Sequence, residues 1–323
     1  MKKIIIRTDA SVEIGSGHVM RCLTIARNLK GKGFNVQFWM EPLAGDLIKY
    51  VAQQGYDMIS EAEHADLYIV DHYELSIEWE KYIRQYTRKL MVIDDLARSH
   101  DCDLLLDQNV VPNFECRYDG LVPNNCVKLL GPKYLIMREE FIEARQQIRQ
   151  HNESIQRLLV FMGGTDPTNE TMKILTALKD FTFAHIDVVV GNGNIQKEKI
   201  REFCQERSYQ YHCQISYMAK LMQQADFCIG AGGGTMWERC FVGLPSSSTI
   251  VADNQYISTI YAAQLGAVIN LGWHEDVTVE MYRRLLKELG NIDTKKLESI
   301  GLQLTTVAPQ PNAWLSQIME LLA

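Results

Sequence analysis

Gly15-Ser16-Gly17-His18-Val19-Met20-Arg21 follows the apolar run Ile4-Ile5-Ile6 and is the stretch of this chain best suited to chemistry. A glycine-rich turn leads from a strand into a helix whose apolar positions run through Leu23, Ile25, Ala26 and Leu29 until Gly31 and Gly33 stop it. The first turn of such a helix presents unpaired N–H groups and the positive end of the macrodipole, which suits an anion. That field disfavours imidazolium, so His18 is placed to work as a base. The turn has two glycines followed by His and Arg rather than the three of GxGxxG. It therefore reads as a phosphate-sugar site of another kind, the alternative being a plain tight connection.

Two further glycine turns follow strands: Phe161-Met162-Gly163-Gly164-Thr165-Asp166-Pro167, and Gly230-Ala231-Gly232-Gly233-Gly234-Thr235-Met236-Trp237-Glu238. Small residues at a strand-to-helix turn let a diphosphate approach the backbone, and glycine-rich turns are costly unless a ligand or close helix packing requires them. Gly163, Gly164, Thr165, Gly232, Gly233, Gly234 and Thr235 are the candidate contacts. Glu238 lies a few residues into the second helix, where an ionised carboxylate suits two ribose hydroxyls or simply complements the macrodipole. Asn254, beside Gln255, suits sugar hydroxyls or a helix cap.

These residues need elements to hold them. Expected strands are Ile4–Ile6, Val36–Trp39, Leu67–Val70, Leu90–Ile93 and Leu104–Leu106, with helices around 18–31, 43–54 and 76–88. A second series has strands Leu158–Met162, Ile186–Val190, Phe227–Ile229, Ser246–Ile250 and Ala267–Ile269. Its helices fall near 169–179, 195–206, 217–224, 235–242 and 255–265. Such alternation predicts an α/β fold with two doubly wound parallel sheets, whose ligands bind beyond the carboxyl ends of the strands. A charged, glutamine-rich stretch around 138–154 reads as the connection between domains, and 310–322 reads as an amphipathic helix. The expected division is 1–145, 146–308 and a final helix in 309–323. In the first half Asp71, His72 and Tyr73 close one strand and Asp94-Asp95 the next.

The chain has 323 residues, 46% of them hydrophobic, enough for two full cores. Its formal net charge of −7 argues against a nucleic-acid partner. The eight cysteines form no CxxC pair, which suits buried reduced thiols in a cytoplasmic protein and disfavours a zinc site. The opening apolar run stops at Arg7, too short for a signal peptide, and no run is long enough to span a membrane. Asp94-Asp95 and Asp101-Cys102-Asp103 match a metal-binding DxD pattern only superficially, so no metal and no cofactor is expected.

Taken in order, these motifs resemble the UDP-2,4-diacetamido-2,4,6-trideoxy-β-L-altropyranose hydrolases of pseudaminic acid biosynthesis and the related spore-coat polysaccharide biosynthesis proteins. The resemblance rests on Arg7-Thr8-Asp9, Gly15 to His18 with Arg21, Asp71-His72-Tyr73, Asp94-Asp95-Leu96-Ala97, Asp107-Gln108-Asn109 and Leu130-Gly131-Pro132-Lys133-Tyr134. It continues through Gly163 to Pro167, Gly230 to Glu238, and Asn254-Gln255. It implies the GT-B fold: two Rossmann-like domains facing a cleft, UDP mostly on the second, and a final helix packed back on the first.

The resemblance also implies a mechanism. His18 is the base that activates a water to attack the anomeric carbon, inverting it and expelling UDP without a metal. Tyr73 touches the sugar or the water, Asp71 orients Tyr73 or His18, and Gly17 and Arg21 contact substrate. Arg21 is suited to hold a phosphate, to keep His18 neutral, or to pair with a carboxylate such as Asp9. The expected partner is a small UDP-sugar, with no nucleic acid and no integral membrane segment, and the protein a monomer or weak dimer. A glycosyltransferase using a UDP-sugar donor for spore-coat or surface polysaccharide, and a non-catalytic sugar-nucleotide binder, are the alternatives.

Overall fold

The computed structural model describes residues 1–147, 152, 154–306 and 312–323. The chain forms two compact units, Met1–Met137 with Val307–Ala323, and Arg138–Thr306.

The first unit holds strands β1 (Lys3–Thr8), β2 (Asn35–Trp39), β3 (Asp57–Ile59), β4 (Ala65–Asp71), β5 (Thr87–Ile93), β6 (Leu104–Asp107) and β7 (Val127–Leu130). They lie in the order β3-β2-β1-β4-β5-β6-β7, every pairing parallel. Helices α1 (Gly17–Gly31), α2 (Ile48–Gln53) and α3 (Ile77–Ile83) supply crossovers. Burial on both sheet faces explains the near-continuous apolar runs, such as Ile4, Ile5 and Ile6, all fully buried.

The second unit begins with α4 (Glu139–Arg145). Its strands are β8 (Arg157–Phe161), β9 (His185–Val190), β10 (Gln210–Cys213), β11 (Phe227–Ala231), β12 (Ser246–Ile250) and β13 (Ile269–Trp273). They run parallel in the order β10-β9-β8-β11-β12-β13. The helices are α5 (Glu170–Leu178), α6 (Lys197–Glu206), α7 (Met218–Gln224), α8 (Gly234–Phe241), α9 (Tyr256–Gln264), α10 (Val279–Glu288) and α11 (Thr294–Leu304). The last helix, α12 (Trp314–Leu322), buries Trp314, Ile318 and Leu322 in the core that also holds Val19, Cys22 and Ile25 of the first unit.

Several expected bounds shift. The helix read over 76–88 stops at Ile83, because a 3-10 turn at Arg84–Tyr86 leads into β5 from Thr87. The strand expected at Ala267–Ile269 starts only at Ile269, after Gly266 at φ +85° has ended the preceding helix. The edge strands β3, β7 and β10 lack fully apolar runs, since their outer flank meets water. The end of the connecting stretch near His151 and the start of the tail helix at 310 lie outside the described residues.

Candidate active site

In both sheets the strand order reverses beside the first strand of the unit, between β1 and β4 and between β8 and β11. Open α/β sheets bind ligands at that switch point, and the residues singled out in the sequence gather there in each unit.

In the first unit, β1 delivers the chain into a turn closed on Ser11. Its hydroxyl accepts from Ile14 N at 2.9 Å, its carbonyl accepts from Gly15 N at 2.9 Å, and Gly15 takes φ +79°. Helix α1 then starts at Gly17, which is exposed, and its first turn carries His18, only 8% exposed. Asp71, at the end of β4, receives His18 Nδ1 on one oxygen at 2.6 Å. Arg21 grips the same carboxylate with both ends of its fork, Nη2 at 2.7 Å and Nε at 2.8 Å. Burial opposes charge on Asp71, but the charge of Arg21 and the bonds from His18 and Arg21 outweigh it and hold the carboxyl well below its usual range. An ionised carboxylate only accepts, so Nδ1 carries the hydrogen and the lone pair of the neutral ring is on Nε2.

Arg21 pairs with Asp71 and not with Asp9; Asp9 is occupied by Arg7 at 2.6 Å and His72 at 2.9 Å. Asp71 bonds to His18. The Tyr73 ring stands edge-on to His18, centroids 4.5 Å apart, and its hydroxyl donates to Asp95 at 2.7 Å. Burial and the Asp95 charge push the Tyr73 phenol well up, so it stays protonated and can donate. Asn109 donates to the other Asp95 oxygen at 3.3 Å. Asp95 and Asn109 were not among the candidate contacts; the signal for them was their position at or just past a strand's carboxyl end.

In the second unit, Gly163 takes φ +93°, and Gly164 O accepts from Gly191 N at 3.0 Å. Thr165 is half-buried beside them, and Asp166 caps α5 by accepting from Glu170 N and Thr171 N, both at 2.9 Å. The glycines of the next turn divide by role. Gly232 is buried, bonds to Thr249 O at 3.0 Å, and a side chain there would collide with Thr259. Gly233 takes φ +75° as the N-cap of α8. Gly234 opens the helix, is exposed, and has open space where a Cβ would stand. No side chain caps α8, so the glycine turn leaves the amides of its first turn uncovered by side chains.

Thr235 lies in that first turn. Glu238 accepts from Arg138 through Oε1 at 3.1 Å, while its Oε2 is buried without a hydrogen-bond partner. Gln255 lies against Gly232 and Gly233 and accepts from Val251 N at 3.1 Å, so it props the turn. Asn254 sits half-buried in the adjoining 3-10 turn Asp253–Gln255. The structure thus groups Gly17, His18, Arg21, Asp71 and Tyr73 in one unit, and the glycine turns, Thr235, Glu238, Asn254 and Gln255 in the other. Among the described residues no cluster of His, Cys, Asp and Glu is arranged to hold a metal ion, and no helix is long and apolar enough to cross a membrane.

No family model matches the chain. It is similar to the uncharacterized protein MJ1062 of Methanocaldococcus jannaschii, 30% identical over 75% of this chain but only 54% of that protein, so it spans about half that relative's length. It is 28% identical to the UDP-2,4-diacetamido-2,4,6-trideoxy-beta-L-altropyranose hydrolase of Campylobacter jejuni, covering 82% of this chain and 97% of that one. The spore coat polysaccharide biosynthesis protein SpsG of Bacillus subtilis is 26% identical over 84% of each chain. Among solved structures, Acinetobacter baumannii MurG matches 100% of this chain and 99% of its own at TM-score 0.63 and 15% identity. The spinosyn rhamnosyltransferase SpnG matches 99% of this chain and 100% of its own at TM-score 0.65 and 13% identity. The chain is therefore a relative of the UDP-diacetamido-trideoxy-altropyranose hydrolase and of SpsG, built on the GT-B fold of the glycosyltransferases.

Proposed function

We propose that the protein is a UDP-sugar hydrolase that releases UDP from UDP-2,4-diacetamido-2,4,6-trideoxy-β-L-altropyranose, a step of pseudaminic acid biosynthesis. The observation that carries this reading is the His18–Asp71–Arg21 constellation at the switch point of the first sheet. Asp71 fixes the tautomer and ring plane, leaving His18 Nε2 to take a proton from water. The water oxygen bonds to the anomeric carbon as the bond to the diphosphate oxygen breaks, which inverts the centre. The proton stays on His18, and UDP leaves with the electron pair. General base catalysis of this kind is typically worth about 10²–10⁴-fold. The amides at the start of α8, after Gly233, suit the diphosphate, whose growing charge they stabilise, so no metal is required by this route. The unpaired oxygen of Glu238 suits a ribose hydroxyl.

A second reading follows from the similarity to SpsG and the glycosyltransferase fold: a sugar hydroxyl replaces water, with the same base. The test is UDP release from the altropyranose substrate without any acceptor, with EDTA present, for wild type and His18→Ala. Release by wild type that disappears in the variant supports the hydrolase. A folded, UDP-binding wild type that releases nothing until a hydroxyl acceptor is added supports the transferase.

A further inference from the structure

Arg239, on α8, is wholly buried, 0% exposed. A guanidinium stays charged in proteins, and buried charges are ordinarily paired because desolvation is expensive. Among the described residues no carboxylate forms an ion pair with it. Nη2 donates to Ala231 O at 2.9 Å and to Ser248 Oγ at 2.8 Å, Nη1 reaches Thr235 Oγ1 at 3.5 Å, and Nε has no partner. Among the described residues this full positive charge is therefore held only by neutral groups.

Its position is specific. A Cβ on Gly230 would lie 2.5 Å from Nη1 and 3.0 Å from Phe161 O, so the guanidinium fills the space this glycine leaves between β11 and β8. Gly230 and Phe161 are paired across the reversal point of the sheet, and each strand runs on into one of the two glycine turns. The cation thus lies beneath the junction of both turns, bonded to Ala231 and Thr235 on either side of Gly232 to Gly234.

We propose that Arg239 is the built-in countercharge for a diphosphate taken at these two turns. This rests on the UDP-sugar reading above and adds a residue to it. Arg239 is a positioning residue: it touches no ligand, fixes the turn through Ala231 O and Thr235 Oγ1, and adds a positive field that low surrounding polarity screens weakly. An arriving diphosphate supplies the negative charge that the fold withholds.

Binding of UDP, UMP and uridine to the full chain, measured by calorimetry for wild type, Arg239→Met and Arg239→Lys, tests this. Arg239→Met is expected to weaken UDP about tenfold or more, UMP less, and uridine hardly at all, while Arg239→Lys restores most of the UDP affinity. Equal losses for UDP and uridine, or an unchanged UDP affinity in folded Arg239→Met, overturn the proposal and leave the UDP reading standing. A wild type that binds neither UDP nor UMP overturns both. If Arg239→Met does not fold, phosphorus NMR of UDP on the wild type decides. The terminal phosphate, whose second ionisation is normally near about 6, must ionise at lower pH when bound, and no shift overturns the proposal.

Discussion

The two units share one parallel topology and place their candidate residues at the same reversal of strand order, yet they fill that position with opposite chemistry. The first unit puts side chains there, and four of its buried carboxylates pair with arginines: Asp71 with Arg21, Asp9 with Arg7, Asp94 with Arg98, Asp107 with Arg117. The second unit puts bare backbone there, over the Arg239 cation, which forms no ion pair among the described residues. A matched network holds a base in one orientation and offers little net pull on an anion. An unmatched cation under open amides does the reverse. Topology decides where a site lies, and the residues just past the strand ends decide whether it handles protons or binds charge.

The sharpest way to break this comparison is His18→Ala. UDP release is expected to fall about 10³-fold with UDP affinity unchanged, since binding is assigned to the other unit; a parallel loss of affinity would end the division of labour. Asp71→Asn comes next. It frees the His18 tautomer and strips Arg21 of its partner, so turnover is expected to drop about 10²-fold. Denaturant titration is expected to show about 3 kcal/mol of lost stability. Full activity in that variant would mean that Asp71 does not set the His18 tautomer.

Within the second unit, Gly234→Ala and Gly232→Ala separate binding from packing. Ala at 234 meets open space at the start of a helix, so thermal stability is expected to hold or rise while UDP affinity falls roughly tenfold. Ala at 232 collides with Thr259 and is expected to lower melting temperature as well. Unchanged UDP affinity in Gly234→Ala would return this turn to a purely structural role.

The smallest expected effect concerns the matched charges. Burial opposes protonation of His100, but Asp94 and Glu80 outweigh it and raise its pKa from 6.5 to about 9. Because the folded value lies above the unfolded one, this stabilisation is complete below the unfolded value and is lost as pH rises through about 9. Unfolding at pH 6.5 and 9.5 is expected to differ by about 2 kcal/mol more in wild type than in His100→Gln. Equal slopes would show that the pair contributes nothing.

The parallel α/β class, the alternation of elements and the three turns are legible along the chain, because apolar runs and glycine punctuation are local signals. His18, Asp71, Tyr73 and the Gly232 to Gly234 turn were legible as strand-end residues before any contact was known. Edge strands such as Gln210–Cys213 were not, since a half-wet strand carries no continuous apolar run. Which side chains meet is settled by packing. Asp71 lies 53 positions from His18, and Arg21 chose it over Asp9 because the β1–β4 register brings that carboxylate beside the first turn of α1. No local pattern sets Arg239 apart, and only the packed sheet shows it buried with no ion pair among the described residues. Pairing, burial and the absence of a partner are properties of three-dimensional neighbours, which no local pattern encodes.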